Sequence, residues 1–212
     1  AIKYVVRPGF GRLLMSLRGK KLVVVGPPGA GKSTFMNYMH YGVFDPEQDP
    51  EVTIRPREAK NFKFTLGRNR SLFASIKQAV DMPGQPDPRW IAEEVFQERP
   101  HGLIVMLDAT APVDDESDPR STAVWLHKFC RAADQATRAM RRNRLRTVVV
   151  ALNKADRASD AEFEEHERRC REILREWRAS ATGSPDPHIL RCVSVSTGSG
   201  SAAETRWIDA VL

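Results

Sequence analysis

The sequence predicts an α/β fold: a doubly wound, mostly parallel six-stranded sheet with flanking helices. Three apolar runs carry this prediction, and they are LVVV at 22–25, LIVML at 103–107 and TVVVAL at 147–152. Continuously apolar runs of this length are typical of parallel strands that are covered on both faces. Because helical patterns separate the runs, we expect ligands to bind beyond the carboxyl ends of the strands.

The predicted elements alternate between strands and helices along the chain. Strands are predicted at 21–25, 60–66, 75–81, 102–108, 146–152 and 189–195. Helices are predicted at 32–41, 88–98, 119–142, 160–180 and 202–212. The helix at 160–180 carries one apolar stripe, formed by Phe163, Cys170, Ile173, Leu174 and Trp177. Such a stripe indicates packing against the core.

Length and composition indicate a soluble protein. With 212 residues the chain can bury a full core, and we expect one domain at 21–212 after an N-terminal extension at 1–20. No run approaches 18 apolar residues, and no signal peptide is recognisable. The three cysteines are odd in number and widely spaced, which suits free thiols in a reducing compartment. We therefore expect a cytoplasmic protein, either complete or part of a larger chain.

The net charge of +6 is clustered near the N-terminus and at 138–146. Clustered cations can meet anionic lipid, nucleic acid or an acidic partner. They also occur on solvated helix ends, which is the interpretation we favour. No aromatic residues lie among these arginines to stack bases, so no specific nucleic-acid partner is expected.

A glycine-rich turn follows the first predicted strand. GPPGAGKS at 26–33 fits the pattern G-x-x-x-x-G-K-[ST] in full. Glycines let the backbone wrap around phosphates, and the helix N-terminus supplies N–H donors. In this pattern Lys32 reaches the β- and γ-phosphates and Ser33 places its hydroxyl on Mg²⁺. The candidate nucleotide-contacting residues are Gly26, Gly29, Ala30, Gly31, Lys32, Ser33 and Thr34.

A second motif, Asn153-Lys154-Ala155-Asp156, follows the apolar run at 147–152. The Asp156 carboxylate can accept hydrogen bonds from N1–H and the 2-amino group of guanine, whereas adenine offers neither donor. Lys154 can lay its aliphatic stem along the base plane. The alternative is an ordinary Asn/Asp turn at a strand end. The position downstream of a phosphate loop favours guanine.

In order and spacing, five motifs resemble those of the Ras-like small GTPases, a P-loop superfamily. Besides GPPGAGKS and NKAD, they are Thr53 in PEVTIRP, DMPGQ at 81–85 and SVSTG at 194–198. The resemblance covers about residues 20 to 212 and implies a G-domain that binds GTP or GDP with Mg²⁺. It also implies effector and regulatory proteins that bind near 43–56 and 81–98, the two switch regions.

The resemblance implies roles for individual residues. Thr53 would close over Mg²⁺ and the γ-phosphate, and Asp81 would hold Mg²⁺ through water. The Gly84 N–H would sense the γ-phosphate, and Gln85 would orient the attacking water. Lys32, Thr53 and Gln85 are thus the catalytic candidates, and Ser33, Thr53 and Asp81 are the metal candidates. Ser194, Val195 and Ser196 would contact guanine. Thr65 and Ser71 are alternatives to Thr53.

Two stretches resemble the Arf and Arf-like branch of the superfamily. One is the DMPGQ segment with a Trp soon after it, at Trp90. The other is FGRLLMSLRGKK at 10–21, which predicts a short amphipathic helix. Arf proteins use such a helix on membranes. Here the stripe is short and Met-Gly is missing from the start, so we expect it to pack on its own domain.

Two prolines distinguish the phosphate loop. Proline has no N–H and fixes φ near −65°, so Pro27 and Pro28 stiffen the loop. Pro28 also adds bulk where a partner's arginine would approach the γ-phosphate, and Pro86 biases Gln85 towards extended geometry. The leading hypothesis is a GTPase switch with slow intrinsic turnover. The alternatives are a GTP-binding scaffold or pseudo-GTPase and an ATP-using kinase, the latter disfavoured by NKAD.

Overall fold

A computed structural model describes residues 21–41, 57–66, 72–81, 87–138, 145, 147–180, 187–191 and 209–211. These residues form β1 (Lys21–Val25), α1 (Lys32–Tyr41), β2 (Arg57–Leu66), β3 (Leu72–Asp81), α2 (Pro88–Gln97), β4 (Gly102–Asp108), α3 (Thr122–Arg138), β5 (Thr147–Asn153), α4 (Asp160–Ser180), β6 (Pro187–Arg191) and β7 (Asp209–Val211). The α/β class predicted from the sequence is confirmed.

The strands form one sheet in the order β2-β3-β1-β4-β5-β6-β7. The four central pairs are parallel, from β3–β1 to β5–β6. An antiparallel partner flanks them on each side, with β2 on β3 and β7 on β6. The mostly parallel topology is as predicted. The number of strands is not, because the described residues contain seven strands and six were expected.

The seventh strand replaces the end of the helix predicted at 202–212. Residues 209–211 pair with β6, and Val211 lies opposite Ile189. A short apolar run is compatible with either structure when it is viewed alone. The exposed backbone edge of β6 favours a strand here, because pairing satisfies its N–H and C=O groups.

Several element boundaries differ from the prediction. β2 begins at Arg57 and β3 at Leu72, since the two form a hairpin whose pairing extends to Leu66 and Leu72. α3 begins at Thr122 and not at 119, because the loop before it is fixed by its own hydrogen bonds. In that loop, the N–H groups of Thr122 and Ala123 donate to the carbonyl oxygens of Pro112 and Val113.

The core explains why the central strands are continuously apolar. On β1, Val23 and Val25 face a cluster with α2, α3 and α4, while Leu22 and Val24 are buried towards the other face. The predicted stripe on α4 is entirely buried, from Phe163 to Trp177. Among the described residues, no helix has the length and apolar character needed to cross a membrane. The predicted helix within 1–20 lies outside the described residues.

Candidate nucleotide site

The turn between β1 and α1 is built on glycines that no other residue can replace without strain. Gly26 has φ +151°, and a Cβ there would lie 2.0 Å from the carbonyl oxygen of Met106 on β4. Gly31 has φ +90°, and a Cβ there would lie 2.4 Å from Nδ2 of Asn153. L-residues rarely adopt such φ values. The loop therefore passes directly over the ends of β4 and β5.

The first turn of α1 has the features of an anion site. The first N–H groups of any helix lack intrahelical partners and carry partial positive charge. The first turn of α1 contains no acidic residue that would compete for them. Ser33 and Thr34 are half-buried in this turn, whereas Lys32 is only 5% exposed. The predicted phosphate-binding residues are thus assembled at one helix end.

Pro27 and Pro28 have different environments. Pro27 is buried, and its carbonyl oxygen accepts hydrogen bonds from Lys32 Nζ at 2.9 Å and from the Ala30 N–H at 3.4 Å. Pro28 is exposed on the outside of the turn. Pro27 therefore shapes the loop from within through its carbonyl group. Pro28 presents its ring where another molecule can reach it.

Asn153 joins the two predicted motifs. It ends β5, and its Nδ2 donates to the carbonyl oxygen of Ala30 at 3.0 Å. The NKAD turn then continues with Lys154 in the left-handed region at φ +59°, buried Ala155 and exposed Asp156. The Arg157 N–H closes the turn on the Lys154 carbonyl at 2.9 Å. The phosphate loop and the base motif therefore lie side by side.

Asp108, a residue that the sequence prediction did not include, also belongs to this group. It ends β4 in register with Asn153 and is 6% exposed. Its Oδ2 accepts a hydrogen bond from Lys154 Nζ at 2.5 Å. Burial on its own would raise the pKa of Asp108, but hydrogen bonds from Lys154 and Thr110 outweigh it and hold that pKa below its ordinary value. The sequence shows it as a carboxylate that ends an apolar strand, and a lone aspartate at such a position does not indicate a specific site.

Comparison with known proteins identifies the family. Residues 21–180 match the family described as 50S ribosome-binding GTPase. The chain belongs to this GTPase family. The predicted membership of the P-loop small-GTPase superfamily is therefore confirmed, while the nearness to the Arf branch stays a prediction.

Solved structures of two GTPases resemble this GTPase domain. The signal recognition particle receptor in the SRb-GTP/SRX complex from Chaetomium thermophilum is 16% identical, with a TM-score of 0.54 over 85% of this chain and 93% of that chain. The bacterial selenocysteine-specific elongation factor EF-Sec is 14% identical, with a TM-score of 0.53 over 83% of this chain and 26% of that chain. At such identities the likeness shows the fold. No curated protein sequence matches the chain.

The remaining predicted residues of the GTPase site fall into two groups. Asp81 is the last residue of β3 and is paired with Val24, two residues before Gly26. Its backbone therefore lies beside the start of the phosphate loop. The other group lies outside the described residues, so its roles stay predictions: Thr53, Ser71, Gly84, Gln85, Ser194, Val195 and Ser196.

The alternative assignment of Thr65 to the metal site does not fit the hairpin. Thr65 pairs with Phe73 near one end of the β2–β3 hairpin, whereas Arg57 pairs with Asp81 at the other. Thr65 lies eight positions after Arg57 along β2, which is about 26 Å at 3.3 Å per residue. Thr65 is therefore too far from Asp81 to share a metal ion with it.

His166 is a second residue of interest that the sequence prediction did not single out. It lies on the apolar stripe of α4 and is 2% exposed, and its Nδ1 is 2.7 Å from Thr122 Oγ1. Burial lowers the pKa of His166, and a hydrogen bond with the Ala109 backbone opposes this only in part. The neutral imidazole thus ties α4 to the start of α3 and to the residue after Asp108.

Proposed function

We propose that this GTPase domain is a Mg²⁺-dependent, GTP-hydrolysing switch whose intrinsic turnover is slow. One observation carries the proposal: Asn153, the first residue of the base motif, donates a hydrogen bond to Ala30 in the phosphate loop at 3.0 Å. This contact makes the phosphate-binding turn and the base-binding turn one site. A single nucleotide of matching length can then engage both turns.

Guanine is the base that this site favours. Asp156 is exposed at the tip of the NKAD turn and offers a carboxylate to two N–H donors. Guanine has both donors on one edge, whereas adenine has neither and would make no hydrogen bond to this carboxylate. This argues against the ATP-using kinase as a function.

The residues around the loop suit Mg²⁺. The ion prefers oxygen ligands and is usually bound by one or two protein groups together with phosphate oxygens and water. Ser33 provides a hydroxyl in the first turn of α1, and Asp81 ends the strand beside β1. We propose that these two residues and Thr53 hold the ion, which would neutralise charge on the β- and γ-phosphates when bound.

Slow turnover is proposed because positioning dominates phosphoryl transfer. The exposed Pro28 ring adds a rigid group at the outer side of the turn. Gln85 precedes a proline, which disfavours the helical backbone geometry at Gln85. We therefore propose that a partner protein completes the arrangement of Gln85 around the attacking water.

Partners are proposed at the two switch regions, 43–56 and 81–98. The described part of the second region contains α2, which presents Trp90 with 40% of its surface exposed. A large exposed aromatic side chain is characteristic of protein-binding surfaces. The SRb-GTP/SRX complex, one of the structural neighbours, pairs a GTP-bound chain with another protein.

We further propose that the protein acts in the cytoplasm. Cys130 and Cys170 are buried thiols that form no disulfide, which is typical of proteins in a reducing compartment.

Nucleotide binding and single-turnover hydrolysis test the proposal. We expect wild-type protein to bind GTP and GDP with Mg²⁺ in preference to ATP and to hydrolyse GTP slowly. Lys32→Ala should lose binding of both guanine nucleotides, and Gln85→Ala should keep binding but lose turnover. Arg120→Ala, which removes a surface ion pair with Asp118, serves as the matched control and should behave as wild type.

Three results would count against parts of the proposal. Tight GTP binding without any turnover, even over many hours, would support the scaffold or pseudo-GTPase. Fast turnover without a partner would contradict the role proposed for Pro28 and Pro86. Preference for ATP over GTP would reject the guanine site altogether.

A further inference from the structure

We propose that Asp108 positions Lys154 against the plane of the guanine base. This inference rests on the proposed function, since it concerns the base-binding half of the same site. Asp108 belongs to neither of the motifs that define the phosphate and base sites.

The Asp108 carboxylate is fixed at the end of β4. Its Oδ1 accepts hydrogen bonds from the Thr110 N–H at 2.9 Å and from Thr110 Oγ1 at 2.7 Å. The Asp108 carbonyl oxygen accepts the Ala111 N–H at 3.1 Å, which tightens the same turn. The hydrogen bonds to Oδ1 fix the carboxylate in the turn, and they therefore also fix the direction in which Oδ2 points.

The other oxygen, Oδ2, holds the Lys154 ammonium at 2.5 Å. The side chains are 24% exposed for Lys154 and 8% exposed for Asp108, so the pair is largely shielded from water. Removing one charge from a shielded pair leaves the other charge uncompensated, which costs more than it does at an exposed surface. Lys154 is therefore held at its tip by Asp108.

The sheet holds Lys154 at its other end. Asp108 and Asn153 are register partners on parallel strands, and the Ala109 N–H extends this pairing by donating to the Asn153 carbonyl at 2.8 Å. The Lys154 backbone is in the left-handed region, which fixes the direction in which its side chain leaves the turn. With both ends held, the methylene groups of Lys154 form a defined surface beside Asp156.

Holding the Lys154 side chain in place lowers the entropy that is lost when the base binds. Lysine is among the side chains that lose most rotamer freedom when they become ordered. Preorganisation removes that loss from the binding step. Because a stem packs on the face of a purine and does not read its edge, Asp108 should strengthen binding of guanine and hypoxanthine nucleotides equally. Discrimination between the two bases should depend on Asp156.

The test is the affinity for GDP and for inosine diphosphate, which lacks the 2-amino group, measured by titration calorimetry with Mg²⁺. Asp108→Asn keeps the size of the side chain and removes its charge. We expect it to weaken both nucleotides by about 10-fold and to leave the ratio between them unchanged. Asp156→Ala should instead reduce the ratio towards one. Thr110→Val, which loosens Oδ1 and retains the charge, should give a smaller loss for both nucleotides.

Two controls separate positioning from a general effect on the fold. Asp114 lies in the loop after β4 and forms an ion pair with Arg169 on α4, and Asp114→Asn should bind both nucleotides as wild type. In a Lys154→Ala background, Asp108→Asn should cause no further loss, because its effect passes through Lys154. Urea denaturation of each variant shows whether it is folded. If Asp108→Asn is unfolded, Thr110→Val is used in its place.

The inference is overturned if Asp108→Asn binds GDP as well as or better than wild type, which would mean that the carboxylate is neutral or competes for Lys154. It is also overturned if the loss persists undiminished without Lys154. Failure of the wild-type protein to bind GDP would reject the proposed function itself, and that result is distinct from both.

Discussion

Replacing Gly31 with alanine should destabilise the domain in two ways that can be measured separately. One is backbone strain at residue 31, and the other is the loss of a hydrogen bond made by Asn153. The φ value of +90° costs an L-residue about 1–2 kcal/mol. The new Cβ would lie 2.4 Å from Asn153 Nδ2, so the amide has to move and loses its bond to the Ala30 carbonyl. That loss costs about 0.5–1.5 kcal/mol. We therefore expect Gly31→Ala to lower the free energy of unfolding by about 1.5–3.5 kcal/mol.

Gly29→Ala is the matched control. Gly29 has φ +73°, but a Cβ there meets no atom within 4 Å. Only the strain of about 1–2 kcal/mol should apply. The assay is urea denaturation of both variants in EDTA without added nucleotide. In an Asn153→Ala background, Gly31→Ala should cost no more than Gly29→Ala does. Equal losses for the two glycine variants in the wild-type background would mean that the Asn153 contact contributes nothing to the cost of Gly31→Ala.

Two further predictions concern α4. The pKa of His166 is lowered in the folded state, so the unfolded chain binds more protons as the pH falls through about 6.5, the ordinary value. Stability should be fully present above that pH and decline as the pH falls below it towards the lower pKa of the folded state. His166→Gln should flatten this decline in urea denaturation, and an unchanged slope would contradict the assignment. Ser159 and Glu162 form a capping box, with Ser159 N–H to Glu162 Oε2 at 2.8 Å and Glu162 N–H to Ser159 Oγ at 3.3 Å. Ser159→Ala should cost about 1 kcal/mol of unfolding free energy, while Ser117→Ala in an exposed loop should cost much less; equal effects would exclude a capping role.

The sequence predicted the central sheet well, because strands that are buried on both faces are apolar at nearly every position. The runs at 22–25, 103–107 and 147–152 are apolar at every position except Thr147, and in the structure these strands are buried almost throughout. The strands at the edges of the sheet have a weaker sequence pattern. Residues 209–211 become a strand through backbone pairing with β6, and backbone pairing can be formed by many different side-chain sequences.

The candidate site divides in the same way. Gly26 and Gly31 are glycines because local geometry requires them, and Lys32 and Asn153 were predicted from the motifs that contain them. Asp108 was not, because a single aspartate after an apolar strand has no pattern around it. Its importance arises only from the strand order, which places β4 next to β5 and so brings its carboxylate to Lys154.

The loop from Ala109 to Ser121 follows a strand in which an inserted residue would disrupt the site, but the tip of the loop itself can accept an insertion. Upstream, β4 and β5 end in register, so one added residue in either strand would turn the side chains that follow to the opposite face of the sheet. Downstream, hydrogen bonds from Thr122 and Ala123 to Pro112 and Val113 close the base of the loop, and its tip at 115–118 is mostly exposed. A reporter peptide or fluorophore inserted at this tip would sit a short distance along the chain from Asp108 without altering the strands. The same domain thus offers a rigid frame and an insertion point for a nucleotide biosensor.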